Sequence, residues 1–250
     1  MLSTFIYILL FAIVMAFFKS PFFKGKVGEA LVNLNNRLRL NGAIYQKMTD
    51  VTLRLKDGST TQIDHIILSP YGIFVIETKN MQGWIFGSEH QKSWTQSIYG
   101  KKYPFQNPLL QNYRHVKALE EVLNIKEGLF SIVTFVGESQ FKTSMPKNVF
   151  HGGGYIGYIK NFRRRIFSED KLFSMGDVLN GKRLEKSRAT NREHLNSLNQ
   201  RKKTSFVYKR NPEIICRRCS SIMVKRRNKK SQESFLGCSS YPRCRHTESM

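Results

Sequence analysis

The stretch that most constrains this chain runs Thr61-Gln62-Ile63-Asp64-His65-Ile66-Ile67-Leu68-Ser69-Pro70-Tyr71-Gly72-Ile73-Phe74-Val75-Ile76-Glu77-Thr78-Lys79. It reads as two apolar strands joined at the turn Ser69-Pro70-Tyr71-Gly72. The first carries a carboxylate inside an apolar run, and the second ends in Glu-x-Lys. Successive strand residues face opposite sides, so Ile73, Val75, Glu77 and Lys79 share one face. Two carboxylates and a lysine beside Ile and Val are costly to bury unless they are paired or bind a metal. An acid on one strand, and an acid plus a lysine on the next, make an oxygen-ligand set suited to Mg²⁺ or Mn²⁺. The lysine then holds a nucleophilic water or offsets transition-state charge. Glu-x-Lys alone is common on strands, and the weight comes from Asp64 at short range before it.

Here the chain resembles the PD-(D/E)xK nuclease superfamily, and within it the NERD (nuclease-related) domain. The residues that carry the resemblance are Gly28-Glu29, Ile63-Asp64-His65-Ile66-Ile67-Leu68 and Gly72-Ile73-Phe74-Val75-Ile76-Glu77-Thr78-Lys79, then Gly83-Trp84-Ile85-Phe86-Gly87 and Asn107-Pro108-Leu109-Leu110-Gln111-Asn112. The superfamily's usual proline before the first acid is replaced by Ile63. The resemblance implies a restriction-endonuclease-like α/β core with a mixed sheet flanked by helices. It implies catalytic roles for Glu29, Asp64, Glu77, Lys79 and Gln111, with Asp64 and Glu77 as ligands of catalytic Mg²⁺ or Mn²⁺.

The rest of the chain can be laid out around that core. Leu2 to Phe18 is almost entirely apolar. As a helix it spans about 25 Å, slightly under a hydrocarbon core of about 30 Å. It lacks the charged start and small-x-small cleavage site of a signal peptide, so residues 1–20 are expected to be an uncleaved anchor. Lys19, Lys24 and Lys26 come next, and by the positive-inside rule that end is cytoplasmic. The expected location is the inner (cytoplasmic) membrane, single-pass, with the remaining domains in the cytoplasm.

Gly25–Leu40 is expected to be an amphipathic helix with the stripe Val27, Leu31, Leu34 and Leu38, Glu29 lying off it. Strands are expected over 50–56, 61–68 and 72–79, the first two joined by the Asp57-Gly58 hairpin signal. His65 points away from Asp64 and reads as structural. Trp84 and Trp94 are candidates for base stacking, with core or hairpin packing as the plainer account. A helix opens at Pro108 with the pattern Leu109, Leu110, Tyr113, Val116, Leu119 and Val122. Phe130–Val136 reads as a buried strand, 149–159 as a second one broken by Gly152-Gly153-Gly154, and 168–184 and 190–202 as helices. The domain layout is a nuclease-like core at 24–140, its C-terminal strand and helices with a basic linker at 141–205, and a zinc ribbon at 213–247.

The charge of +23 and a pI near 10.1 call for an anionic partner. Much of the excess lies after Arg201, interleaved with the chain's four cysteines. Cys216-x2-Cys219 and Cys238-x5-Cys244 stand 18 residues apart, a spacing that suits a tetrahedral Cys₄ zinc site. Two disulfides are the alternative, disfavoured in a cytosolic setting. The block Phe235-Leu236-Gly237-Cys238-Ser239-Ser240-Tyr241-Pro242-Arg243-Cys244 resembles the C-terminal zinc finger of bacterial type IA DNA topoisomerases, with Arg217 and Ser220 standing where that family has proline and glycine. Its Zn²⁺ would be structural. Arg217, Arg218, Lys225, Arg226, Arg227 and Arg243, with Phe235 and Tyr241, fit phosphate contact and base stacking on DNA, single-stranded DNA included. Two functions remain open: a metal-dependent endonuclease, and a membrane-tethered DNA-binding protein without useful catalysis. The retained acids favour the enzyme.

Overall fold

The computed structural model describes Ile6, Tyr7, Phe11, residues 20–210, Cys216, Arg218 and residues 223–228, 233–238 and 240–249. The anchor segment Leu2–Phe18 therefore lies almost wholly outside the described residues, as do Arg217 and Cys219. Among the described residues no helix is long and apolar enough to cross a membrane. The chain divides into two units, Met1–His194 and Leu195–Met250.

The first unit is built on a five-stranded sheet. Its strands are β1 (Gln46–Arg54), β2 (Thr60–Ser69), β3 (Gly72–Asn80), β7 (Leu129–Val136) and β9 (Val149–His151), in the spatial order β1-β2-β3-β7-β9. β1, β2 and β3 form an antiparallel meander, and β7 and β9 add in parallel. The sheet is thus mixed, as expected from an apolar meander followed by a helix and another strand. One face packs on helices α2 (Pro108–Leu123) and α4 (Glu169–Lys182), through Ile66, Leu68, Val75, Leu119 and Leu179. The other packs on α1 (Pro21–Arg39) and α3 (Tyr155–Lys160), through Val32, Ile67, Phe74, Ile76 and Tyr155. Three layers bury β2 and β3 on both sides, so these strands read as continuous apolar runs. Helix α5 (Arg188–Arg210) leads out of the unit.

The segment between β3 and α2 forms a second sheet, which the residue pattern does not suggest. Strands β4 (Gly83–Phe86), β5 (Ser93–Ile98) and β6 (Lys101–Gln106) combine with β8 (Ser139–Phe141) in the order β6-β5-β4-β8. Its inner face carries Ile85, Trp94 and Phe105 onto Phe135 of the main sheet. Trp94 is completely buried, with its ring stacked 6.0 Å from that of Phe135. The plainer account of Trp94 is therefore correct.

Three expectations need correction. The stripe Val27, Leu31, Leu34 and Leu38 does not face the core: all four are exposed, and the helix turns Gly28, Val32 and Asn36 inward instead. Gly28 explains that choice. A Cβ there would lie 2.8 Å from Cβ of Asn80 and 3.0 Å from a Val136 methyl, so only glycine lets the helix approach the sheet this closely. The region 149–159 is a three-residue strand followed by a short turn and helix α3, because Gly152 takes a positive φ of 58° that ends the strand. On α2, Leu110 and Tyr113 are exposed while Asn112 and His115 are buried.

The second unit contains an antiparallel sheet of β10 (Met223–Arg227), β11 (Ser234–Cys238) and β12 (Thr247–Ser249). Among the described residues Cys216, Met223, Cys238 and Cys244 pack together as its core.

Candidate active site and zinc centre

The acid pair is made by strand register. His65 pairs with Ile76, and one step on the Thr78 N–H donates to Asp64 Oδ2 at 2.8 Å. Asp64 and Glu77 therefore sit side by side, with Glu77 on the face covered by α2. Glu77 is only 2% exposed. Its Oε1 accepts from Lys79 Nζ at 2.6 Å, and the same ammonium donates to Gln111 Oε1 at 3.0 Å. Its Oε2 meets His115 Nε2 at 3.1 Å. A carboxylate only accepts, so in the neutral ring the proton lies on Nε2, and Nδ1 accepts from the Thr61 hydroxyl at 2.8 Å.

The motif around Gln111 has a structural logic. Buried Asn107 caps α2 by accepting from the Leu109 N–H at 2.9 Å, and its amide donates to the carbonyls of Ser88, Glu89 and Gln91. Pro108 fills the first turn, where no N–H is required. Asn112 donates to the carbonyls of Val75 and Ile132 and to Ser131 Oγ, each at 2.8–2.9 Å. One amide thus ties α2 to both β3 and β7 and sets Gln111 above Lys79.

The electrostatics divide the pair. Burial pushes the Asp64 carboxyl well up, and the Glu77 charge beside it adds to the rise. Burial also pushes Glu77 up, but the Lys79 ammonium and His115 outweigh it and hold Glu77 low. Burial would lower Lys79, yet Glu77 overrides it and keeps the ammonium charged. Lys79 is consequently a cation and hydrogen-bond donor at neutral pH, not a general base.

Glu29 stands in a neighbouring cluster. Lys26 Nζ bridges Glu29 Oε2 at 2.7 Å and Asp50 Oδ1 at 3.3 Å, and Lys186 meets Asp50 Oδ2 at 2.9 Å. Burial, with Asp50 contributing, raises Glu29. Asp50, at a φ of 52°, falls between the strand pairs Thr49–His65 and Val51–Ile63, and is held low by the two lysines against the effect of burial. The structure thus bonds Glu77, Lys79 and Gln111 to one another, sets Asp64 next to Glu77 across the strand pair, and leaves Glu29 in the neighbouring cluster. Sequence reasoning missed His115, Asn112 and Asp50. His65 is buried with neither ring nitrogen hydrogen-bonded, and burial lowers its pKa to about 4.

The donor set fits a hard divalent cation. Burial first, and then the neighbouring Glu77 charge, raise Asp64, and a cation between the two carboxylates offsets both. Asp64 Oδ2 takes the Thr78 N–H, and among the described residues its other oxygen carries no hydrogen bond.

In the second unit the sulfurs of Cys216, Cys238 and Cys244 lie within 4.8 Å of one another, all buried. Cys216 Sγ and Cys244 Sγ are 3.7 Å apart. A disulfide needs about 2.05 Å, whereas two thiolates on a tetrahedral zinc with Zn–S near 2.3 Å stand about 3.8 Å apart. The cluster therefore fits Zn²⁺, with Cys219 outside the described residues. Lys225, Arg227, Arg243 and Tyr241 are exposed around it, Phe235 is half-buried, and the Arg226 guanidinium lies 5.5 Å from the Tyr241 ring centroid. Arg218 is also exposed.

Comparison with known proteins agrees with this division. Residues 24–136 match the nuclease-related domain family. Residues 213–250 match the family described as topoisomerase DNA binding C4 zinc finger. An uncharacterized protein of Bacillus anthracis is 45% identical over 115 residues, which cover 46% of this chain and 54% of that protein. The chain thus spans about half the length of the curated relative it matches. No solved structure matches. The nuclease-related match ends at the last residue of β7, so it takes in Glu29, Asp64, Glu77, Lys79, Gln111 and the whole of β4–β6.

Proposed function

We propose that this chain is a membrane-tethered nuclease that hydrolyses DNA phosphodiester bonds at the Asp64–Glu77–Lys79 cluster, with the zinc ribbon holding the nucleic acid. The observation that carries the reading is the buried, like-charged pair Asp64 and Glu77 with one charged lysine bonded across to Gln111. Asp64 and Glu77 would hold Mg²⁺ or Mn²⁺, which when bound polarises a phosphoryl oxygen and lowers the pKa of a coordinated water. Lys79 presents a fixed positive charge to the phosphate, and Gln111 orients that ammonium by accepting one of its protons. His115 braces Glu77 from behind through the Thr61 hydroxyl. Glu29 adds negative charge beside the pair.

The second reading is a DNA-binding protein without catalysis. One observation favours it: both Glu77 oxygens are already engaged, by Lys79 and His115. A cleavage assay with Mg²⁺ or Mn²⁺ on supercoiled, linear and single-stranded DNA separates the two. Cutting by the wild type that is lost in Lys79→Ala supports the nuclease. Tight binding without cutting under either metal would leave the binder.

The tether rests on the apolar run Leu2–Phe18 and on the helix immediately after it. That helix, α1, carries the exposed stripe Val27, Leu31, Leu34 and Leu38. Such a face is buried when a helix lies along a bilayer surface. The full chain is expected in the membrane fraction and to resist extraction by alkaline carbonate. Recovery in the soluble fraction after that wash would sink the anchor.

A further inference from the structure

The second sheet of the first unit is not consumed by the site chemistry, and its outer surface is unusual. β4 and β5 pair Trp84 with Ser97, and β5 and β6 pair Ser97 with Lys102. Directly paired residues share a face, so Trp84 and Lys102 lie together on the outer side, opposite Ile85 and Trp94. Trp84 is 52% exposed, and Lys142 Nζ sits 4.8 Å from its ring centroid. At the hairpin tip Ile98 pairs with Lys101, leaving Tyr99 and Gly100 as a two-residue turn with φ of 48° and 79°. That turn geometry favours Asn-Gly, and a bulky residue at positive φ is an outlier. Tyr99 is nonetheless there, 99% exposed, with no packing to offset the strain. Trp84 and Tyr99 together line a cleft whose rim includes Glu138. Between Gly83 and Gln106 the chain has three lysines (Lys92, Lys101, Lys102) and one acid, Glu89.

We infer that the β4–β6 sheet is a stacking platform for a nucleic-acid strand with unpaired bases, with Trp84 and Tyr99 as the aromatic surfaces and Lys102 and Lys142 as phosphate contacts. Exposed aromatics interleaved with lysines on a sheet face are what sequence-tolerant single-strand binding requires. The placement in the chain supports it. The platform is inserted between Lys79, at the end of β3, and Gln111, on α2, so both of its connections run straight into the site cluster. The inference rests on the nucleic-acid reading of that site and extends it to how a strand is led there.

The chain has two tryptophans, one buried and one on the platform, and the zinc ribbon has none. Quenching of indole emission by a bound strand therefore reports this surface, while Trp94 supplies a buried background. The test uses the full chain in mild detergent, without added magnesium or manganese, titrated with a short oligothymidylate. Binding is followed in parallel by the anisotropy of a labelled copy. Quenching is expected to saturate at the anisotropy midpoint, to vanish in Trp84→Phe, and to weaken with rising salt. Tyr99→Ser and Lys102→Ala are each expected to weaken binding by about five- to tenfold. The unchanged emission of buried Trp94 in Trp84→Phe serves as the folding control. Binding without quenching would overturn the platform, placing the strand elsewhere. Quenching that persists in Trp84→Phe would overturn it too. Quenching by a wild type that cuts nothing leaves the platform standing and removes the catalytic reading, whereas cutting without quenching does the reverse.

Discussion

Asp64→Asn is expected to raise the melting temperature of the metal-free protein at neutral pH while removing metal-dependent cleavage. The sign comes from the folded state. Asp64 is raised well above its ordinary value by burial and by Glu77. A carboxyl raised on folding binds a proton more tightly in the native state, so the wild type loses stability as pH climbs from the unfolded pKa through the folded one. Above that window the penalty is constant. Asparagine carries no charge to desolvate and still accepts the Thr78 N–H. The variant's stability advantage should therefore grow with pH across that window and shrink below it. Divalent metal reverses the order. At a hundredfold excess over its Kd, Mn²⁺ adds about 2.7 kcal/mol to the wild type, a rise of about 5–10 °C for a unit of this size, and adds nothing to the variant. Cleavage should fall by about a thousandfold, because Lewis-acid stabilisation is worth several kcal/mol and each 1.36 kcal/mol is tenfold. Calorimetry across pH, with and without Mn²⁺, checks all of this. A variant less stable than wild type at neutral pH would contradict the buried-charge account.

Cys244→Ser, or removal of zinc by a strong chelator, is expected to unfold the second unit and leave the first intact. Structural zinc contributes about 10–16 kcal/mol to small domains of this kind. Among the described residues the unit's core holds Met223 and half-buried Leu236 besides its cysteines, too little apolar area to replace the zinc. Two thermal transitions should be resolved in the wild type, and the variant should lose one. DNA affinity should fall with a shallower salt dependence. Arg218, Lys225 and Arg243 are exposed on this unit, and each phosphate contact adds about 0.9 to the slope of log K against log salt. A loss of slope of about three is therefore expected. An unchanged slope in the variant would show that the ribbon does not bear the phosphates.

The parts of the site that can be read from the chain are those a two-residue period makes visible. Asp64, Glu77 and Lys79 stand out because a charge inside an apolar strand has no cheap explanation. His115 and Asn112 are polar residues on an amphipathic helix, indistinguishable in sequence from a solvated face. Only the sheet beneath α2 shows that they are buried. The α1 stripe misleads for a related physical reason: periodicity identifies an apolar face but not what covers it. Gly28 is the better guide, since the missing side chain marks the side of closest approach. The second sheet escapes sequence reading because its strands are short and rich in Gly and polar residues. Its apolar contacts with the main sheet, such as Trp94 on Phe135, join residues far apart in the chain.

That same connectivity bears on when any chemistry can begin. Lys79 and Gln111 hold one another across 32 positions of sequence, and the whole β4–β6 insertion lies between them. The ammonium meets its glutamine only where α2 is docked on the sheet, as Asn112 docks it. A nascent or misassembled chain has the acids but not the assembled cluster. Such a chain carries the carboxylates and the lysine without the contacts that fix them against one another.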